Sequence, residues 1–338
     1  MVFAHIGIIV LWLFLFCYII IASIDFGAGF FALHAKITKQ DKKINHLISR
    51  YLNPVWEVTN VFFVFFFVGI VGFFPDSAKY FGTVLLIPAS IALILITIRG
   101  SFYAFENYGQ DSKLQWLALY GLTGLFIPAS LATALTISEG GFVIQKGNQI
   151  DLDWVELLLS PFSWSVVFLA VISVLYISSG FLTYYAHKAK DSKAYQLLRY
   201  WFLFWGPPML AISLFVFLSL RVQNEGHFVT AVTDYWWMFL LSLICFTVAM
   251  LFTLQKKWHG WAFILVIFQM GFAFFGYGIS KLPYLLYPMV KLDHAVVNDN
   301  MAIALTISFI LGLLLLIPSL ILLLKLFVFD KEYVEGKK

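Results

Sequence analysis

Apolar residues run along this chain in long stretches broken by short polar connections, and runs of about twenty residues dominate the pattern. A helix crosses about 30 Å of hydrocarbon with roughly 20 residues. Runs of that kind predict nine spans, at about 6–32, 53–74, 81–104, 114–137, 158–186, 199–220, 235–254, 260–280 and 301–328. Helices are the element that fits, because each satisfies its backbone polar groups within its own segment. The longest connections, near 34–52 and 138–157, are too short to fold as soluble domains. The expectation is an all-α polytopic membrane protein, one integral membrane domain over 1–338. Pro88, Pro128, Pro207 and Pro318 predict kinks, and "WGPPML" (Trp205–Leu210) is the strongest local break. "IPAS" recurs at Ile87–Ser90 and Ile127–Ser130, in consecutive spans, which is not the spacing of an inverted repeat.

Composition supports this reading. The chain is 62% hydrophobic and 12% charged, with mean hydropathy +0.90. Soluble domains carry about twice that share of charge. Basic residues settle the expected orientation: 16 fall on one side of the nine crossings and 5 on the other, with Arg99 inside a span. The positive-inside rule then puts the N-terminus outside and the C-terminus in the cytoplasm. The basic connections read as topology signals beside anionic lipid, not as a nucleic-acid surface. The first run is too long for a signal-peptide core, lacks a basic flank and contains Asp25, so it reads as a retained span. Cys17 and Cys245 sit in apolar runs as small hydrophobes, with no metal-ligand or disulfide spacing.

Against that background the ionisable residues inside the spans stand out. Asp25 lies in the cytoplasmic third of the first span, Glu57 about one turn into the second, and Arg99 near the cytoplasmic end of the third. All three fall at similar depth, and Glu106 follows Arg99 by two helical turns. Such groups are costly in hydrocarbon and usually face a bundle interior or a water path. Two jobs fit the cluster: a proton path from the cytoplasm, or a structural ion pair with Arg99 snorkelling. His34, His46 and His227 fall in connections, and His5, His187, His259 and His294 at span ends or beyond. Haem in a bilayer bundle takes axial ligands from within the spans, so the chain is expected to ligate no haem. The 37 Phe, 16 Tyr and 11 Trp suit interfacial belts, packing against a partner's span, or a quinone tail.

Four segments together resemble one family. They are "DFGAG" (Asp25–Gly29), "VWEVTNVF" (Val55–Phe62), "RGSFYAF" (Arg99–Phe105) and "FFGYGISKLPYLLYP" (Phe274–Pro288). The pattern is similar to subunit II of cytochrome bd-type quinol oxidases over essentially the whole chain. The family's Trp-Asp pair reads Trp56-Glu57 here, and the polar continuation keeps Asn60. The resemblance implies two four-helix bundles plus one peripheral helix in a bacterial cytoplasmic membrane. It also implies a larger subunit I carrying the haems, of b type with the third d or b. That complex oxidises menaquinol or ubiquinol, reduces dioxygen to water and takes protons from the cytoplasm. A small accessory subunit and a quinone held as a structural element also belong to the family's range. By motif position Asp25 and Glu57 match proton-pathway acids, and Arg99 their basic partner. A reading from another class is a proton-coupled secondary transporter using the same three residues. The odd span count, the absence of a repeat and a cluster near one face oppose it.

Overall fold

The computed structural model describes residues 2–105, 113–146, 149–292, 299–323 and 325–326. Helix α1 (Val2–Ile37) is followed by α2 (Asp41–Phe73), α3 (Pro75–Val84), α4 (Leu86–Phe105), α5 (Lys113–Leu131) and α6 (Thr133–Ser138). A hairpin of β1 (Val143–Lys146) and β2 (Gln149–Leu152) leads to α7 (Trp154–Leu159), α8 (Pro161–Lys188), α9 (Ser192–Gln223) and α10 (Glu225–Thr233). Then come α11 (Trp236–Leu254), α12 (His259–Lys281), a second hairpin of β3 (Tyr284–Leu286) and β4 (Val290–Lys291), and α13 (Asp299–Leu323).

Among the described residues seven helical segments are long and apolar enough to cross a membrane: α1, the α5–α6 run, α8, α9, α11, α12 and α13. The second expected span is represented by Asn60–Phe73, the described apolar part of α2. The third, expected as one helix over 81–104, is broken: α3 and α4 meet at 79°. Pro88 is the physical cause at hand. It has no N–H to give the carbonyl of Val84, the last residue of α3, so the ladder cannot pass through. The two "IPAS" copies meet at this elbow, where Ser130 Oγ donates to the Pro88 carbonyl at 2.7 Å. Pro207 and Pro208 do not end their helix, because α9 runs unbroken from Ser192 to Gln223. "WGPPML" therefore lies within one continuous helix. Much of the expected 34–52 connection is also helical, with α1 reaching Ile37 and α2 starting at Asp41.

Helix starts follow their caps. Asp191 accepts from the Lys193 and Ala194 amides, both at 3.0 Å, to open α9. Ser160 with Pro161 opens α8, and Asn224 accepts from the His227 amide to open α10. In packing, α1, α2, α4 and α5 form one group and α8, α9, α11 and α12 another, joined through α1 and α8. α13 lies against α1 and α2. There Phe14 stacks on Phe65 and meets Phe309 edge-on, with centroids 5.2 and 5.6 Å apart. Part of the aromatic load therefore packs inward. α8 is 67% inside the protein and α13 only 11%, so α1 and α8 form the chain's own core and α13 depends on what surrounds it.

The helix ends gather on two sides. At one, His46 meets Asp191 at 3.2 Å and Arg199 donates to the Thr253 and Leu254 carbonyls, tying together the basic connections after α1, α8 and α11. At the other, the connections after α6, α9 and α12 meet, through Gln223 and Asn224 bonding Gly140 and Glu139 and through the Tyr287 amide donating to the Ser138 carbonyl.

Candidate functional site

Asp25 and Arg99, 74 residues apart, are brought into contact by the packing of α1, α4 and α5. Each is about 1% exposed. Arg99 Nε donates to Asp25 Oδ2 at 3.1 Å, Nη2 lies 3.1 Å from the same oxygen, and Nη2 also donates to the Asp25 carbonyl at 2.8 Å. Nη1 donates to the Tyr120 carbonyl at 2.5 Å. Tyr120 completes the arrangement from α5: its hydroxyl donates to Asp25 Oδ1 at 2.7 Å. Its ring also lies 3.7 Å from the guanidinium carbon, where the π face attracts the cation. The space is made by glycines. A Cβ at Gly29 would lie 2.6 Å from the Tyr120 ring, and one at Gly124 would lie 2.5 Å from the Phe26 carbonyl and 3.2 Å from Arg99 Nη1. Close backbone approach is what admits a guanidinium here.

The sequence anticipated the Asp25–Arg99 meeting but not Tyr120. Glu57 and Trp56 lie on α2, with side chains outside the described residues, and Glu106 also falls outside them. Asn60 is half-buried on α2. Chemically, the triad is a carboxylate with a fixed counter-charge in a dry setting. Removing either charge strands the other.

A second buried ionic cluster lies at the opposite end, and the sequence reading missed it. Glu139, fully buried at the C-terminus of α6, receives the Tyr277 hydroxyl on Oε1 and Asn224 Nδ2 on Oε2 at 3.1 Å. His227 Nδ1 lies 3.0 Å from Oε2, and Lys281 Nζ is 3.3 Å from Oε1 and bonds Ser138 Oγ. Gly140, at φ +86, makes the turn that follows, and a Cβ there would meet the Tyr287 carbonyl at 2.5 Å. His227, expected in a connection, is buried on α10. One signal was available: "SEGG" places an acid at the end of an apolar run, before a glycine turn. Among the described residues no three or more His, Cys, Asp and Glu side chains gather as a metal site.

Burial alone would raise the Glu139 carboxyl from its usual 4.5, but Lys281, His227 and Tyr277 overcome that and hold it at about 2. A depressed carboxyl contributes stability that is present above its unfolded value and lost as pH falls toward its folded one. The shift corresponds to about 3 kcal/mol. Glu139→Gln is therefore expected to lower the thermal unfolding temperature of the purified protein near neutral pH and to flatten its decline on acidification below about pH 4.5. Unfolding scans across pH check this, and an unchanged melting temperature at neutral pH would refute it.

Comparison with known proteins agrees over the whole chain. The family model described as cytochrome bd terminal oxidase subunit II matches residues 3–327. A Bacillus subtilis (strain 168) protein, "Putative cytochrome bd menaquinol oxidase subunit II", is 32% identical over 344 residues, covering 99% of this chain and 98% of that protein. A chain in the structure of bd oxidase from Geobacillus thermodenitrificans is 53% identical with a TM-score of 0.85, covering 98% of this chain and all of that one. The motifs, the helical membrane fold and these matches agree: the chain belongs to the cytochrome bd terminal oxidase subunit II family.

Proposed function

We propose that this chain is the second subunit of a quinol oxidase in a bacterial cytoplasmic membrane and works beside a larger, haem-bearing subunit I. In this reading it supports assembly and takes up protons from the cytoplasm. The carrying observation is the likeness, along nearly the whole chain, to a chain of a bd oxidase at 53% identity. The partner's haems supply the redox chemistry of quinol oxidation and oxygen reduction. Menaquinol is the favoured substrate, by the name of the Bacillus relative. A small accessory subunit and a structural quinone remain part of the proposal on the family's pattern.

The proton role rests on Asp25. A buried carboxylate on the side of the molecule that carries the basic connections lies where uptake from the cytoplasm would begin. Arg99 supplies its counter-charge and Tyr120 fixes its orientation. Glu57 and Glu106 extend the route by their positions in the sequence.

The test is purification of the tagged chain in mild detergent. A larger haem-bearing chain should accompany it in equal amount, with quinol-dependent oxygen uptake. Expressed alone, the chain should show no Soret absorbance. Isolation without a haem partner or oxidase activity would overturn the reading, and so would a stoichiometric haem lost on changing His5, His187 or His259.

A further inference from the structure

The hydrogen-bond arithmetic around His227 points to a second function at the end of the molecule away from Asp25. Nδ1 faces Glu139 Oε2 at 3.0 Å, and a carboxylate only accepts, so Nδ1 carries a proton. Nε2 faces two groups: Ser280 Oγ at 2.9 Å and the Tyr277 carbonyl at 3.2 Å. Ser280 Oγ is itself 3.0 Å from that same carbonyl. The serine hydroxyl has one proton and two places to put it.

Two complete arrangements follow. In the first, the Ser280 hydroxyl donates to a bare Nε2 and His227 is neutral. With Glu139 charged and Lys281 cationic, the cluster then sums to zero. In the second, a proton from the medium sits on Nε2, which donates to Ser280 Oγ and the Tyr277 carbonyl, while the Ser280 hydroxyl turns to that carbonyl. The cluster then carries one positive charge. Neither state leaves a ring nitrogen unsatisfied, and Glu139 keeps Asn224, Tyr277 and Lys281 in both. Among the described residues, the charged or titratable groups around His227 are Glu139 on the α6 side and Tyr277 on α12, with Lys281 of α12 reaching the same Glu139 carboxylate, while Arg221 of α9 lies over the ring of Phe228 on α10.

We propose that His227 is a proton-binding site, with Ser280 as the rotor that lets it load and unload a proton without opening the contacts that join the three connections. A purely structural histidine needs one state. This one is built for two, as a proton-transfer station requires. The site is distinct from the Asp25 triad, and neither proposal rests on the other.

The test is infrared difference spectroscopy of the intact purified complex, carrying ring-15N histidine, as the pH is varied. The wild type should show one imidazole gaining a proton reversibly, with that signal absent in His227→Gln. In Ser280→Ala a neutral ring would turn its lone pair toward the Tyr277 carbonyl, so the charged ring is favoured. That variant should hold its proton to about ten-fold lower proton concentration, the worth of one such hydrogen bond. Ser280→Thr, which keeps the hydroxyl, should titrate like the wild type. If His227→Gln fails to assemble, the two Ser280 variants decide the matter alone. A His227 signal fixed in one protonation state, or a Ser280→Ala titration matching the wild type, overturns the proposal.

Discussion

Arg99→Leu is expected to destabilise the protein by about 3–5 kcal/mol, the cost of leaving a buried charge without its partner. The size follows from the geometry. Arg99 is one of the largest fully buried side chains, and its donors reach the Asp25 carboxylate, the Asp25 carbonyl and the Tyr120 carbonyl. Leucine fills part of the volume but removes a donor from each of the three acceptors and the positive charge from beside the carboxylate, and lipid offers no water to replace the donors. An intact buried pair, by contrast, is weak evidence of net stability, because desolvation opposes the attraction. The double variant Asp25→Asn with Arg99→Leu should therefore recover part of the loss, since the uncompensated charge is gone. The measurement is yield and thermal unfolding temperature of the detergent-purified complex for the two single variants and the double. A single Arg99→Leu protein as stable as the wild type would show that Asp25 finds its counter-charge elsewhere.

The asymmetry between what the sequence revealed and what it hid has a physical origin. Hydrocarbon imposes a long apolar run on any crossing helix, so seven of the nine expected runs appear as long apolar helices among the described residues. It also makes a charge inside such a run conspicuous, which is why Asp25 and Arg99 could be paired by depth before any contact was known. Tyr120 gave no such sign, because tyrosine is expected at membrane interfaces and nothing in the α5 run marks this one as a partner for a buried acid. The elbow at Leu85 was hidden for a related reason. Pro88 marks a missing hydrogen bond, but "WGPPML" carries two prolines and its helix continues. Whether a helix breaks depends on what the neighbours supply to the backbone groups that a proline leaves unpaired.

Glu139, His227 and Lys281 were harder still. They sit at the ends of spans or in connections, where charge is ordinary, and they become exceptional only because three connections fold over them. Glu139 and Lys281 are 142 residues apart in the chain, and no local pattern brings them together. Their burial is a tertiary fact. The two clusters have the same logic all the same: one carboxylate, a cation and a phenol donating to it. In the Asp25 triad the cation is a guanidinium that stays charged, whereas in the Glu139 cluster an imidazole is added that has two states.

Asp25→Asn should lower oxygen-reduction turnover by at least about ten-fold, while the partner's haems keep their normal spectra. Each oxygen reduced consumes protons in a dry interior, where a protonatable side chain lowers the barrier to their passage. Asparagine keeps the shape of Asp25, but it offers one acceptor oxygen to the two donors, Tyr120 and Arg99, and it cannot take up a proton. The effect should be slow delivery with the redox centres intact. The geometry adds a condition. Both carboxylate oxygens are already engaged, one by the Tyr120 hydroxyl and the other by Arg99, so a carboxyl at this position works within those contacts. In the proposed route, Asp25→Glu, which restores the carboxyl with a longer reach, should recover part of the rate. Glu57→Gln should act in the same direction but less strongly, since its place in the opening turn of the second expected span leaves water a way past it. Turnover must be expressed per haem, because loss of the Asp25 charge also leaves Arg99 unpaired and will reduce the amount assembled. Measured at several pH values, a per-haem rate in both acid variants equal to the wild type would make the triad an ion pair that holds α1, α4 and α5 together and nothing more.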